Sequence, residues 1–285
     1  FTPGSGVFSY AGEWLAQHQQ TSHGITDEPL PALEPPLAIT VEGLQQLLKN
    51  PVKPFFRTRL KVQLDREEQT LEDHEPFDLG GLNHHAALQS VLDGARLSVE
   101  HLPLDAALAA LPTALAETTQ RLQGEGRLPL AGFGQRWQVA LQADALNQLQ
   151  RWLQVQAQWP QAVLGGLSVA LPASALQLSP ASSASELLRL PSLYRGDAGL
   201  ALFSLNASRF CNSAKTKLIG KDGLNPSALR LDKLLGSWVL AVLAALQPEP
   251  VQVQVIVVAR DVTLTWRPRD RDDAIRTVTA WLQAW

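Results

Sequence analysis

Residues 251–266 read VQVQVIVVARDVTLTW, and this stretch decides the fold class. Its first eight residues combine alternating valine and glutamine with a run of β-branched side chains, which is the clearest strand signal in the chain. After a short turn, Val262, Leu264 and Trp266 alternate with polar residues, so the two halves predict a β-hairpin. The chain therefore contains at least one antiparallel pair of strands.

Helices are predicted on both sides of this hairpin. Residues 230–246 place leucine, valine and tryptophan at intervals of three and four, which predicts a helix with one apolar face. The residues after the hairpin include Asp270, Asp272 and Asp273, and negative charge in a first helical turn is favourable for the helix dipole. The end of the chain thus predicts a helix, a hairpin and a second helix in succession.

The first half of the chain is predicted to be mainly helical. Thr40 can cap a helix that Pro51 ends. Residues 84–123 are rich in leucine and alanine and predict a helical region that is interrupted at Pro112. A loop with four glycines precedes a further helix, which is predicted near 143–158.

Strands are also predicted around 163–171 and 199–205. Helices followed by mixed strands and helices predict an α/β or α+β fold, with a mixed sheet flanked by helices and a helical insertion. No internal repeat and no linker divides the chain, so a single domain is expected. The predicted domain covers residues 1–285. Its parts are an extended segment at 1–37, a mainly helical part at 38–160 and a mixed β/α core at 161–285.

The composition limits the class of protein. Of 285 residues, 45% are hydrophobic and 18% charged, with a net charge of −3, so a DNA partner would have to meet a local basic surface. The single cysteine, Cys211, excludes a disulfide framework and fits the reducing cytoplasm. No stretch is apolar for the roughly 18–20 residues of a membrane helix, so a soluble chain is expected. The lack of methionine and the first residues, Phe1–Gly6, indicate a fragment of a longer protein.

Two groups of basic residues are the candidate phosphate contacts. Residues 55–62 alternate in period two and predict a strand, which would place its cations on one face. An ordinary solvated strand face is the alternative interpretation of this pattern. A second group surrounds Gly220 and Gly223. The candidate contacts in the two groups are Arg57, Arg59, Lys61, Lys215, Lys217 and Lys221.

Several short motifs occur in a fixed order along the first half of the chain. They are FSYAGEW (8–14), NPVKPFF (50–56), RLKV (59–62), DHEPFDLGGL (73–82), GEGRLP (124–129) and GFG (132–134). In order and spacing they resemble the C-terminal region of RecC, the gamma subunit family of the bacterial RecBCD helicase–nuclease. The likeness continues at 231–246 and 251–285, whereas 165–225 matches poorly.

The resemblance implies a core like that of the PD-(D/E)xK nucleases. Such enzymes hold Mg²⁺ between an Asp on one strand and an Asp/Glu-x-Lys triplet on the next. None of the seven lysines has an acidic residue two positions before it, so this chain has no such triplet. The best positional match is Ile219-Gly220-Lys221, preceded by a strand that ends near Asn206. Asn206, Ile219 and Lys221 are therefore the degenerate motif positions, and no catalytic residue, metal or cofactor is expected.

The resemblance also implies a function. It predicts a non-catalytic domain that acts in double-strand-break repair and DNA degradation, holds the RecB and RecD subunits and guides separated DNA strands in the cytoplasm. Its expected partners are RecB, RecD, the remaining RecC domains and DNA, with no membrane. Two alternatives stay open: an active Mg²⁺-dependent nuclease with a displaced motif, and a purely structural protein-interaction module without DNA contact.

Overall fold

A computed structural model describes eight ranges of the chain: 39–62, 78–172, 187–190, 192–212, 219–220, 223–247, 252–267 and 269–284. The α-helices longer than one turn in these ranges are α1 Val41–Lys49, α2 Gly81–Val99, α3 Leu104–Gly124, α4 Ala131–Gln156, α5 Leu231–Ala244 and α6 Arg271–Ala284. A helical turn at Val52–Pro54 continues as a π-helix at Phe55–Arg59, and a 3₁₀ turn covers Pro226–Ala228. No described helix combines the length and the apolar character needed to cross a membrane.

In the described ranges, nine strands form one central sheet and two small ones. They are β1 Gln161–Ala162, β2 Leu167–Ala170, β3 Leu187–Leu190, β4 Leu193–Gly196, β5 Gly199–Asn206, β6 Ile219–Gly220, β7 Gly223–Leu224, β8 Val253–Ala259 and β9 Thr263–Trp266. The central sheet has the order β1-β4-β5-β8-β9. Only β5 and β8 are parallel in it, from Leu200 opposite Val253 to Asn206 opposite Ala259. The mixed sheet flanked by helices that was predicted is confirmed.

The central strand β8 shows why the sheet is covered on both faces. Val255 and Val257 belong to the apolar cluster with α1, α5 and α6. Ile256 and Val258 point the other way, into the cluster with α2, α3 and α4. Side chains alternate between the faces of a strand, so a strand buried on both faces has to be apolar at nearly every position. The valine-rich sequence of β8, Val253–Ala259, is therefore that of an interior strand.

Local signals are confirmed at several element ends. The Thr40 hydroxyl accepts a hydrogen bond from the Gly43 N–H at 3.0 Å and caps α1 as predicted. Asp270 does the same for α6, because its carboxylate accepts from the Asp273 N–H at 2.9 Å. The predicted hairpin is β8 and β9, which pair antiparallel with Val257 opposite Leu264.

The predicted strand at 55–62 is wrong, because this segment is helical. Pro51 and Pro54 have φ angles of −63° and −57°, which suit a helix, and neither residue has an N–H to donate. A first helical turn does not need those donors, so the two prolines favour a helix start. The Asn50 side chain also accepts from the Lys53 N–H at 3.4 Å. Pro51 thus ends one helix and begins another.

Two predicted helix boundaries are also wrong. The helical region at 84–123 breaks just before Leu104, next to Pro103, and Pro112 lies inside α3. The later helix begins at Ala131 instead of near 143, so the predicted glycine loop is in part its first turn, which contains Gly132 and Gly134. A Cβ on Gly134 would lie 2.0 Å from the Pro129 carbonyl oxygen, so this glycine allows close backbone contact and does not mark a loop.

Candidate nucleic-acid interface

The carboxyl ends of β5 and β8 lie side by side, which is where ligands bind in open α/β sheets. In this chain a side chain from α4 covers the strand ends. The Gln148 Nε2 donates to the carbonyl oxygens of Asn206 and Val258, both at 2.9 Å. Gln148 is fully buried, and it satisfies the carbonyl of the buried Val258 and that of the half-buried Asn206.

Arg151 extends the same cover one helical turn further along α4. One guanidinium nitrogen donates to the carbonyl oxygens of Ala259 and Arg260, both at 2.8 Å. Burial lowers the pKa of Arg151, and the nearby Asp261 carboxylate offsets part of that effect. Asp144 adds an ion pair with the Arg260 side chain. We call Asp144, Gln148, Arg151 and Arg260 the sealed end of the sheet.

The carboxylates around the strand ends are already bound to protein groups. Asp261 accepts from the N–H groups of Phe210 and Cys211 at 2.8 and 2.9 Å. Asp232 lies 3.5 Å from Arg230 and 3.7 Å from Lys233. Within the described ranges, no group of three or more His, Cys, Asp or Glu residues is arranged to hold a metal ion.

Asn206 is the one predicted motif position whose side chain is described. Its Oδ1 accepts from the Ser208 N–H at 2.8 Å, so the amide turns the chain away from the sheet at the end of β5. Ile219 lies in β6, which pairs with β7 in a separate two-stranded sheet, whereas the neighbours of β5 are β4 and β8. Lys215, Lys217 and Lys221 lie outside the described residues. The motif assignment for Ile219 and Lys221 stays a prediction.

Beside Asn206 an open groove of about 310 Å³ remains accessible. It lies between α1, α2, the end of β5 and the start of α5. Its polar lining includes Lys49, His85, Asn206, Ser208 and Lys233. The lining thus contains two lysines, whereas its carboxylate, that of Asp232, is paired with Arg230 and Lys233.

A second basic surface begins where α1 ends. Between Glu42 and Asp65 the sequence has five Lys or Arg residues and no acidic residue, although the whole chain has a net charge of −3. We call residues 49–62 the basic-aromatic segment, because Phe55 and Phe56 lie among its cations. Both rings are nearly half exposed, at 46% and 45%. Their centroids are 6.0 Å apart and their planes meet at 79°.

The helical geometry changes how the predicted phosphate contacts are arranged. Arg57 and Lys61 are exposed, as expected for phosphate contacts, whereas the side chain of Arg59 lies outside the described part. Residues two apart on a helix face different directions, so the single strand face predicted for Arg57, Arg59 and Lys61 is wrong. Lys61 follows the π-helix with a φ of +52°, in the left-handed region. Whether these residues contact phosphates stays a prediction.

Sequence reasoning missed both the sealed end and the exposed rings. Gln148 and Arg151 are polar residues of α4, and their acceptors are between 58 and 110 residues away in the chain. No local pattern could therefore reveal them. For Phe55 and Phe56 a signal existed, namely two aromatic residues between Lys53 and Arg57.

Comparison with known proteins identifies the family. A model of the RecC C-terminal domain matches residues 36–285. The RecBCD enzyme subunit RecC of Escherichia coli (strain K12) is 37% identical over 87 residues. That alignment covers 30% of this chain and 8% of the E. coli subunit, so the chain spans only a small part of that relative. The family model, in contrast, covers most of the sequence, and the chain belongs to the RecC C-terminal domain family.

Proposed function

We propose that this domain is a non-catalytic part of a RecBCD complex, in which it holds partner subunits and guides separated DNA strands. The similarity to RecC of E. coli supports membership of such a complex, with RecB, RecD and the remaining RecC domains as partners. The observation that carries the DNA role is the basic-aromatic segment, where Lys53, Arg57 and Lys61 face solvent. Exposed cations of this kind neutralise phosphates, whichever bases the strand carries.

The lack of nuclease activity is supported by the chemistry of the strand ends. A PD-(D/E)xK site needs carboxylates that converge on Mg²⁺. Here β5 ends at Asn206, whose neutral amide is hydrogen-bonded to the next turn. Asp144 and Asp261 are engaged by an arginine and by two backbone N–H groups. In this proposal the core is nuclease-like in fold, and its strand ends serve stability instead of metal binding.

The scaffolding role is supported by apolar side chains that face solvent. Leu82 is 87% exposed on α2 and Leu164 is 96% exposed near β2. Further exposed apolar residues lie on α2, α4 and α5, at Leu97, Phe133, Val139 and Leu231. Single exposed apolar residues are common, but the four on the neighbouring helices α2 and α4 favour a docking face there. RecB, RecD and the other RecC domains are the partners that this surface would bind.

A cleavage and binding assay on the purified chain tests the proposal. Linear duplex and single-stranded DNA are incubated with and without Mg²⁺, beside an authentic nuclease as the positive control. We expect no cleavage, and binding that weakens as salt rises. Mg²⁺-dependent cleavage that survives stringent purification would show an active nuclease with a displaced motif. Absence of any binding at low salt would leave the purely structural module as the function.

A further inference from the structure

We infer that Phe55 and Phe56 form a stacking platform for the bases of single-stranded DNA, with Lys53, Arg57 and Lys61 beside it as phosphate contacts. This inference rests on the proposed DNA-guiding function and names the form of DNA and the way it is held.

The rings of Phe55 and Phe56 are exposed to solvent. Folding removes large apolar side chains from water wherever it can, yet both rings remain nearly half exposed. They lie in a short helical segment that two prolines and the Asn50 cap hold in place. The rings therefore project from a structured piece of backbone, as a stacking platform requires.

Positively charged residues lie on both sides of the rings in the sequence. Lys53 precedes them, and Arg57 and Lys61 follow them, all with exposed side chains. Among the described residues, no ion pair joins these three cations to a carboxylate. A surface that docks another protein has little need for unpaired cations on both sides of an aromatic pair. A strand with one phosphate per base needs both features.

The two rings are nearly perpendicular to each other. Neighbouring bases in a duplex lie parallel, and their faces are covered by each other. The planes of Phe55 and Phe56 are 79° apart, so two bases that stack on them must turn by nearly a right angle. Only a flexible single strand can turn successive bases in this way. The geometry thus selects single-stranded DNA over duplex.

The test compares ring removal with charge removal on the whole chain. Binding is followed with oligo-dT at several salt concentrations and with a single strand that contains 2-aminopurine, whose fluorescence reports stacking. For the double variant Phe55→Ala/Phe56→Ala we expect binding of the single strand to weaken by roughly 30-fold or more, with the salt dependence unchanged. For Arg57→Gln/Lys61→Gln we expect the log–log salt slope to fall by about 1.4, since each lost phosphate contact on a single strand removes about 0.7.

Matched variants separate stacking from other causes. Phe133→Ala removes a ring that is 52% exposed at the start of α4 and should leave binding unchanged. Phe55→Leu/Phe56→Leu keeps apolar side chains and should still lose the fluorescence change. If wild type binds DNA and the ring variants bind as well as Phe133→Ala, the platform is disproved while DNA guiding stands, and the rings belong to a protein interface. If wild type binds no DNA, the DNA-guiding function itself fails.

Discussion

The sealed end and the basic-aromatic segment place similar residues in opposite environments. At the sealed end, Arg151 and Arg260 lie against strand carbonyls and a carboxylate, so their hydrogen bonds are made within the protein. In the basic-aromatic segment, Arg57 and Lys61 face water. Positive charge therefore does not by itself indicate a DNA contact. The acceptors that folding brings to a cation decide whether it is bound within the protein or left open to solvent.

The same difference bears on our proposal of a nuclease-like core without nuclease carboxylates. A metal site at the strand ends would require charged groups that are free to converge on the ion. In this chain Gln148 and Arg151 occupy that place and stabilise the sheet through its carbonyls. The groove beside Asn206 and residues 49–62 are among the surfaces that stay open to solvent.

The largest expected effect comes from opening the sealed end. Gln148→Leu should lower the free energy of unfolding by about 3 kcal/mol, because the buried carbonyl of Val258 and the half-buried carbonyl of Asn206 lose their donor. Urea unfolding followed by tryptophan fluorescence measures this. The control is Gln154→Leu, an exposed site on the same helix that should change stability by less than about 0.5 kcal/mol. Equal effects at both positions would mean that the strand ends are not sealed by Gln148.

A second prediction sets one arginine from each region side by side. Arg151→Met should cost about 2 kcal/mol of stability, because it leaves the carbonyls of Ala259 and Arg260 without a charged donor. Arg57→Met should cost less than about 0.5 kcal/mol, because Arg57 faces solvent. Thermal and urea unfolding of the two variants give both values. Similar losses in both would contradict the distinction between the regions.

The smallest effect is a pH dependence at the border of the sealed end. His84 packs against Trp137, with ring centroids 5.3 Å apart. Burial is the main reason that the pKa of His84 is lowered. The charges of Arg260, His85 and Arg209 lower this pKa further, whereas Asp144 raises it. Because the pKa of His84 is lower in the folded state, the neutral ring contributes to stability fully above about pH 6.5, the unfolded value. That contribution is lost as pH falls through the folded-state pKa. The loss should stay below about 1 kcal/mol, because the ring is only partly buried.

The measurement is urea unfolding at several pH values between neutral and mildly acid. His84→Gln should flatten the acid side of the stability curve, and His85→Gln should flatten it less, because it removes only one of the charges that lower the pKa of His84. Asp144→Asn should lower the pKa of His84 further, as followed by NMR, because it removes the carboxylate that raises it. An acid limb that is identical in wild type and His84→Gln would contradict this assignment.

Much of the fold could be predicted because its signals are local. The hairpin at β8 and β9, the helix at 231–244 and the Thr40 cap each depend on residues close together in the chain. The segment at 55–62 was predicted wrongly, because alternation suggested a strand while the nearby prolines favoured a helical turn. In the candidate site, Arg57 and Lys61 are exposed, which agrees with the expectation, but their phosphate contacts stay a prediction, and the two rings beside them were overlooked.

The sequence by itself determined the family likeness, the central strand and the lack of any acidic residue two positions before a lysine. These properties follow from the identity and order of neighbouring residues. Only the tertiary structure decided that Gln148 and Arg151 cover the strand ends while Phe55 and Phe56 stay open to solvent. Local sequence cannot reveal these environments, because the groups that bind or cover a side chain come from distant parts of the chain. Gln148 and its acceptor Asn206, for example, are 58 residues apart. Such partners meet only after the layers have packed.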